Sequence, residues 1–91
     1  MTIRHLRVFL TVCKQGSITK AAEELHTVQP SVSLTISELE KRYGIVLFDR
    51  IGRRLVLTDF GRQLAVKAQE AVEAFDEFEA FAHTAEEKPY V

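Results

Sequence analysis

No stretch of this 91-residue sequence approaches the roughly 20 consecutive apolar residues that a bilayer-spanning helix needs, so a transmembrane helix is excluded. The basic N-terminus, with Arg4 and Arg7, is not followed by an uninterrupted apolar stretch and does not read as a signal peptide. There is one cysteine, Cys13, which makes neither an internal disulfide nor a cysteine-based zinc site and fits a reducing cytoplasm. Its place on an apolar helix stripe reads as a small core residue. His5, His26 and His83 fall on separate segments without metal-ligand spacing. A glycine-rich phosphate loop and a nucleophile elbow are also missing, so the expectation is a protein that is not an enzyme and carries no metal or cofactor.

What is present is ordinary for a small globular domain: 46% hydrophobic and 27% charged residues, enough for one modest core. The net charge of −1 hides an asymmetry. Residues 1–58 carry nine Lys or Arg against five acids, whereas residues 59–91 carry three against eight. A basic front points to a polyanionic partner, and the acidic rear to a different task.

Apolar spacing predicts a first helix with an inner stripe of Ile3, Leu6, Phe9, Leu10 and Cys13, stopped by Gly16. Ser17 is a good N-cap for a short helix over Ile18 to Leu25, with Ile18, Ala22 and Leu25 inward and the small Ala21 and Ala22 admitting a close neighbour. After the polar turn His26–Gln29, Pro30 suits the first position of a third helix running to Tyr43 and closed by Gly44. Val32, Ile36, Leu39 and Tyr43 should face the core. The outer face is small and hydroxyl-rich. Two short strands, 47–50 and 55–57, flank a turn over Ile51–Arg54. Thr58 then caps a long helix whose Gly61, Leu64, Ala68, Ala71, Phe75, Phe78 and Ala82 recur at heptad spacing. Residues 83–91 lack periodicity and read as a frayed end or linker.

Helix, short helix, tight turn, helix, basic hairpin and long helix make a mostly α winged helix-turn-helix, with the helix-turn-helix at about 18–37. In such proteins the second helix of the pair enters the major groove and meets base edges with its N-terminal residues. A wing carrying Arg53 and Arg54 reaches the adjacent minor groove or its phosphates.

The run Gly16-Ser17-Ile18-Thr19-Lys20-Ala21-Ala22-Glu23-Glu24-Leu25-His26, then Gln29-Pro30-Ser31-Val32-Ser33 and Ile36, closely resembles the N-terminal domain of LysR-type transcriptional regulators. Leu39-Glu40, Tyr43-Gly44, Leu47-Phe48-Asp49-Arg50, Arg53-Arg54 and Leu57-Thr58-Asp59-Phe60-Gly61 continue it, so that the resemblance spans about residues 2–82. It implies a DNA-binding domain at 1–58, a dimerising linker helix at 59–82, and a tail at 83–91 leading to an effector domain that this sequence does not contain. It places DNA contacts on Gln29, Pro30, Ser31, Ser33, Leu34 and Thr35 and on Arg53 of the wing. Arg50 and Arg54 join them as phosphate candidates, with Lys20 and Lys41. Leu64, Ala68, Ala71, Phe75 and Phe78 form the expected dimer seam.

The sequence departs from the family in two places. Many members carry arginine then glutamine where this one has Leu34-Thr35, which removes a bidentate contact to guanine and offers an apolar contact to a thymine methyl instead. Val28 stands where a hydroxyl residue is common, so Thr27 or Gln29 must cap the third helix. The expected partners are double-stranded DNA with an interrupted inverted repeat and a second copy of the chain, a tetramer being open to a full-length parent. A small-molecule effector would act only through the missing domain. Two rivals stand beside this reading: a helical protein-interaction module whose basic front merely keeps it soluble, and an enzyme with its active site at a dimer interface. For the enzyme the seam offers only Gly, Leu, Ala and Phe.

Overall fold

A computed structural model describes residues 1–87. Its elements are α1 (Ile3–Gln15), α2 (Ile18–Glu24), α3 (Gln29–Tyr43), β1 (Phe48–Ile51), β2 (Arg54–Leu57) and α4 (Asp59–Glu87). Gly16 and Gly44 end α1 and α3 at φ 63° and 62°, in the left-handed region that costs glycine least. The Ser17 hydroxyl accepts the Lys20 N–H at 3.2 Å and starts α2 as expected. The α2–α3 turn is tight: Thr27 N–H reaches the Ala22 carbonyl at 2.9 Å, with His26 at φ 54°.

The core joins Val8, Phe9 and Val12 of α1 to Ala21 and Ala22 of α2, Val32, Ile36 and Leu39 of α3, and Leu47 and Ala68. Val8 and Val12 lie off the stripe expected for α1, and Ile3 is only half-buried. The reason is that α1 is enclosed by α2, α3 and α4 together, so its buried face is wider than one amphipathic stripe. Tyr43, expected inside, is half exposed: the last turn of α3 overhangs the core, and the Tyr43 ring lies under the Arg42 guanidinium at 5.6 Å. Neither Thr27 nor Gln29 caps α3. Val28 holds that position in extended conformation without a side-chain bond, and its carbonyl accepts the N–H groups of Ser31 and Val32.

The hairpin pairs Phe48 with Leu57 and Ile51 with Arg54, so the turn shrinks to Gly52-Arg53. Leu47 is not in a strand; its side chain is wholly buried in the core. Leu55 N–H donates to the Gly16 carbonyl at 3.0 Å, and the Phe48 ring meets Phe9 edge-on at 5.8 Å. Both contacts fix the hairpin to α1.

The fourth helix differs most from expectation. It continues through residues 83–87, where nothing breaks it, the Thr84 hydroxyl donating to the Phe81 carbonyl at 2.6 Å. Residues 88–91 of the expected tail lie outside the described residues. The heptad seam divides along its length. Ala68 is buried in its own chain's core, Leu64 packs against that core, and Val72, off the seam, is buried as well. The first half of α4 rests on α1 and spends its apolar face there. Phe75 is half-buried with the Arg7 guanidinium 6.0 Å above its ring, and Arg7 Nη2 donates to Asp76 Oδ1 at 2.5 Å. Beyond this tether Phe78 and Phe81 are 66% and 78% exposed. Among the described residues, no helix is long and apolar enough to cross a membrane.

Candidate nucleic-acid interface

The first two turns of α3 present Gln29, Pro30, Ser31, Ser33 and Leu34 to solvent. Burial of Val32, Ile36 and Leu39 orients the helix, so residues a half-turn away must face out. Thr35 differs from its neighbours: it is partly buried and its hydroxyl donates to the Ser31 carbonyl at 3.1 Å. With Val28 as an aliphatic cap, the N–H groups of Val28 and Gln29 find no acceptor among the described residues, and Pro30 has none to offer. A helix start with open amides and the positive end of the dipole is suited to an anion.

Two depressions flank Ser33. One is lined by Thr19, Thr27, Val28, Gln29 and Pro30, the other by Ile18, Ser37, Glu40, Phe48 and Arg50. The second joins the outer side of α3 to the hairpin, so Ser33 and Arg50 border one surface. Arg53 and Arg54 are exposed at the hairpin tip and line neither depression.

Ion pairing divides the basic residues into two groups. Arg7, Lys14, Arg62 and Lys67 pair with Asp76, Glu24, Asp59 and Glu70. No described carboxylate lies within 4.0 Å of Lys20, Lys41, Arg50, Arg53 or Arg54. The five cations expected to meet phosphate are thus free of the protein's own described acids, as are Arg4 and Arg42. Cys13 stays apart from this surface, and burial pushes its thiol up to about 11, as suits a packed rather than a reactive cysteine. No group of three or more His, Cys, Asp or Glu among the described residues is placed to hold a metal ion.

Sequence reasoning missed Glu40. Its carboxylate accepts the Leu47 N–H at 2.8 Å, and its carbonyl accepts the N–H groups of Gly44 and Ile45, tying the end of α3 to the segment that enters the hairpin. Only the fold reveals this, because seven residues and a change of direction separate the partners.

An apolar groove of about 540 Å³ lies on another side, between α1, the end of α3 and the first half of α4. Leu6, Tyr43, Phe60, Leu64 and Ala71 are among its walls. Of the expected seam, Leu64, Ala68 and Ala71 thus line this groove, while Phe78 stands free further along α4.

The family model for bacterial regulatory helix-turn-helix proteins of the lysR family matches residues 3–62. The RuBisCO operon transcriptional regulator of Allochromatium vinosum is 47% identical over 64 residues, covering 70% of this chain and 21% of that protein. Among solved structures, the complex of BenM DBD with catB site 1 DNA matches with TM-score 0.93 at 31% identity, covering 99% of this chain and all of that one. The CbnR DBD–DNA complex matches with TM-score 0.87 at 29% identity, over 93% and 98% of the two chains. The chain belongs to the lysR family of bacterial regulatory helix-turn-helix proteins. It spans about a fifth of the length of the Allochromatium vinosum regulator and of two further curated relatives.

Proposed function

We propose that this chain is a sequence-specific DNA-binding unit of a transcriptional regulator, working in the cytoplasm by binding rather than catalysis. The observation that carries the reading is the pairing of an exposed, uncharged helix face on α3 with a set of cations left free by the protein's own acids. That helix starts with open amides, and similar folds are known in complex with DNA. In this reading α3 lies in the major groove through Gln29, Pro30, Ser31, Ser33 and Leu34. Arg50 meets phosphate beside Ser33, and Arg53 and Arg54 take the wing to the neighbouring minor groove. Thr35 positions the helix rather than a base, since its hydroxyl is engaged.

The unit acts as a homodimer through α4. Ala68 belongs to the core of its own chain, so the interface falls on Leu64 and Ala71 beside the groove and on Phe75, Phe78 and Phe81 beyond it. Antiparallel pairing sets the two reading heads at opposite ends of the pair, and a two-fold protein reads an interrupted inverted repeat. An effector domain in a longer parent would add small-molecule control, with a tetramer as the assembled form. The test is selection from random duplexes, followed by titration of the chosen site at increasing salt. Each neutralised phosphate contributes about 0.9 to the log–log slope, so four or five free cations predict a slope of roughly −4 per protomer. A slope near zero overturns the reading.

A further inference from the structure

We propose that Leu34 reads thymine through its 5-methyl group, so that each half-site carries a thymine where the outermost ridge of α3 meets the major groove. The inference rests on α3 being the major-groove helix and adds the base class that it selects. Opposite the buried Val32, Ile36 and Leu39, the ridge runs Pro30, Leu34, Ser37 and Lys41 at steps of four, three and four. Pro30, Leu34 and Lys41 on this line are exposed, and its first two side chains are apolar. Leu34 is 59% exposed, and none of the core residues covers it.

The chemistry around Leu34 narrows what it can meet. Residues 28–37 contain no charged side chain, and Gln29 alone among them carries an amide fork. A bidentate Arg or Lys contact to guanine from this stretch of the ridge is therefore absent. Thr35, the other apolar-capable neighbour, is turned partly inward and bonded to Ser31. Of the groups displayed in the major groove only the thymine methyl is apolar; adenine, guanine and cytosine show donors and acceptors. A leucine pressed against those polar edges strips their water and returns nothing, so the ridge both favours thymine and disfavours the rest. The unpaired Lys41 at the far end of this line and Arg50, which shares a depression with Ser33 and Ser37, suit the uncharged stretch between them to a polyanion, which makes DNA its occupant rather than an apolar protein surface. The same geometry accepts 5-methylcytosine, which carries its methyl at the same ring position.

The experiment begins with duplexes selected from a random pool and replaces each thymine in turn by deoxyuridine, which removes the methyl and leaves every hydrogen-bonding group in place. One position per half-site should weaken binding about fourfold, the worth of one buried methyl, and the symmetric pair of replacements about fifteenfold. At that position 5-methylcytosine should bind better than cytosine by a similar factor. Leu34→Ala, a change at an exposed site, should leave circular dichroism unaltered and abolish the thymine–uracil difference there. Leu34→Arg should move the preference toward guanine. If every deoxyuridine duplex binds as its parent does, or if Leu34→Ala still distinguishes thymine from uracil, the proposal is overturned while DNA binding stands. A folded protein that enriches no sequence from the pool overturns both.

Discussion

Replacing Gly61 by alanine sets two effects of opposite sign against each other. Helix propensity alone favours the change by about 1 kcal/mol, because alanine is the better residue inside a helix. Packing opposes it. A Cβ on Gly61 would lie 2.4 Å from the Leu47 carbonyl oxygen, with Leu57 Cδ2 at 3.0 Å and Thr58 Oγ1 at 3.1 Å. The nearest obstacle is backbone and cannot swing aside. Leu47 is wholly buried, its N–H is held by Glu40, and its carbonyl accepts from the Thr58 N–H at 3.0 Å. Relief requires α4 to lift by nearly an ångström from the residues that start it. Overpacking of a core costs about 1–3 kcal/mol, and a clash with fixed backbone belongs at the upper end. Subtracting the propensity gain leaves a net loss of about 2 kcal/mol, or roughly 8–16 °C in melting temperature for a domain of this size. Thermal melts followed by circular dichroism, at matched protomer concentration, measure it. A Gly61→Ala protein that melts at or above the parent's temperature refutes the packing argument.

Arg53→Ala should lower DNA affinity and make the log–log salt slope shallower by about 0.9 per protomer, with footprint protection lost at the flanks rather than the centre; titrations at several salt concentrations check both. Phe78→Asp places a charge on a side chain that its own chain does not cover, so sedimentation should show a monomer and gel shifts a loss of tight operator binding, while the first three helices stay folded by circular dichroism. Cys13, with its thiol at about 11 instead of the usual 9.0, should alkylate about a hundredfold more slowly at pH 8 than a free cysteine, because burial disfavours the thiolate. Burial favours the neutral thiol, so its contribution to stability is complete below the ordinary value and is lost as pH rises through about 11.

Local signals carried much of this structure. Gly16, Ser17, Gly44 and Thr58 mark element ends by chemistry that acts within three or four residues, and each stands at the boundary the sequence suggests. The exposed face of α3 is legible for the same reason, since helical periodicity alone separates Val32, Ile36 and Leu39 from Leu34. What escaped depends on neighbours distant in sequence. Val8 and Val12 are buried because three helices enclose α1, and no pattern within α1 reports how many partners it has. The heptad spacing in α4 is real, yet it cannot say whether the covering surface comes from the same chain or another. Ala68 proved to be covered by its own chain. The bond from the Thr35 hydroxyl to the carbonyl one turn back also escaped, because it depends on a rotamer.

Leu47 connects three parts of the molecule that act together in the proposed reading of DNA. Its N–H binds the Glu40 carboxylate near the end of α3, its carbonyl takes the N–H of Thr58, and Gly61 packs against that same carbonyl. The Thr58 hydroxyl donates to the Val46 carbonyl at 2.7 Å and accepts the Gly61 N–H at 3.0 Å. Recognition helix, hairpin and the first turn of α4 therefore share one hydrogen-bonded junction around a fully buried side chain. Bending any one of them away would break at least one of these bonds beside the core, each worth about 1 kcal/mol, and open the packing as well. Within a protomer the angle between α3, the wing and the start of α4 is thus fixed by the fold. At 29 residues and about 1.5 Å per residue, α4 carries that fixed angle outward over roughly 44 Å. Its first half is held down on α1, and the Arg7 bond to Asp76 is the last polar tether before the exposed phenylalanines. In the proposed dimer, adjustment to operators of different spacing then falls to the segment beyond Asp76 and to the contact between protomers, where the exposed Phe78 and Phe81 can repack.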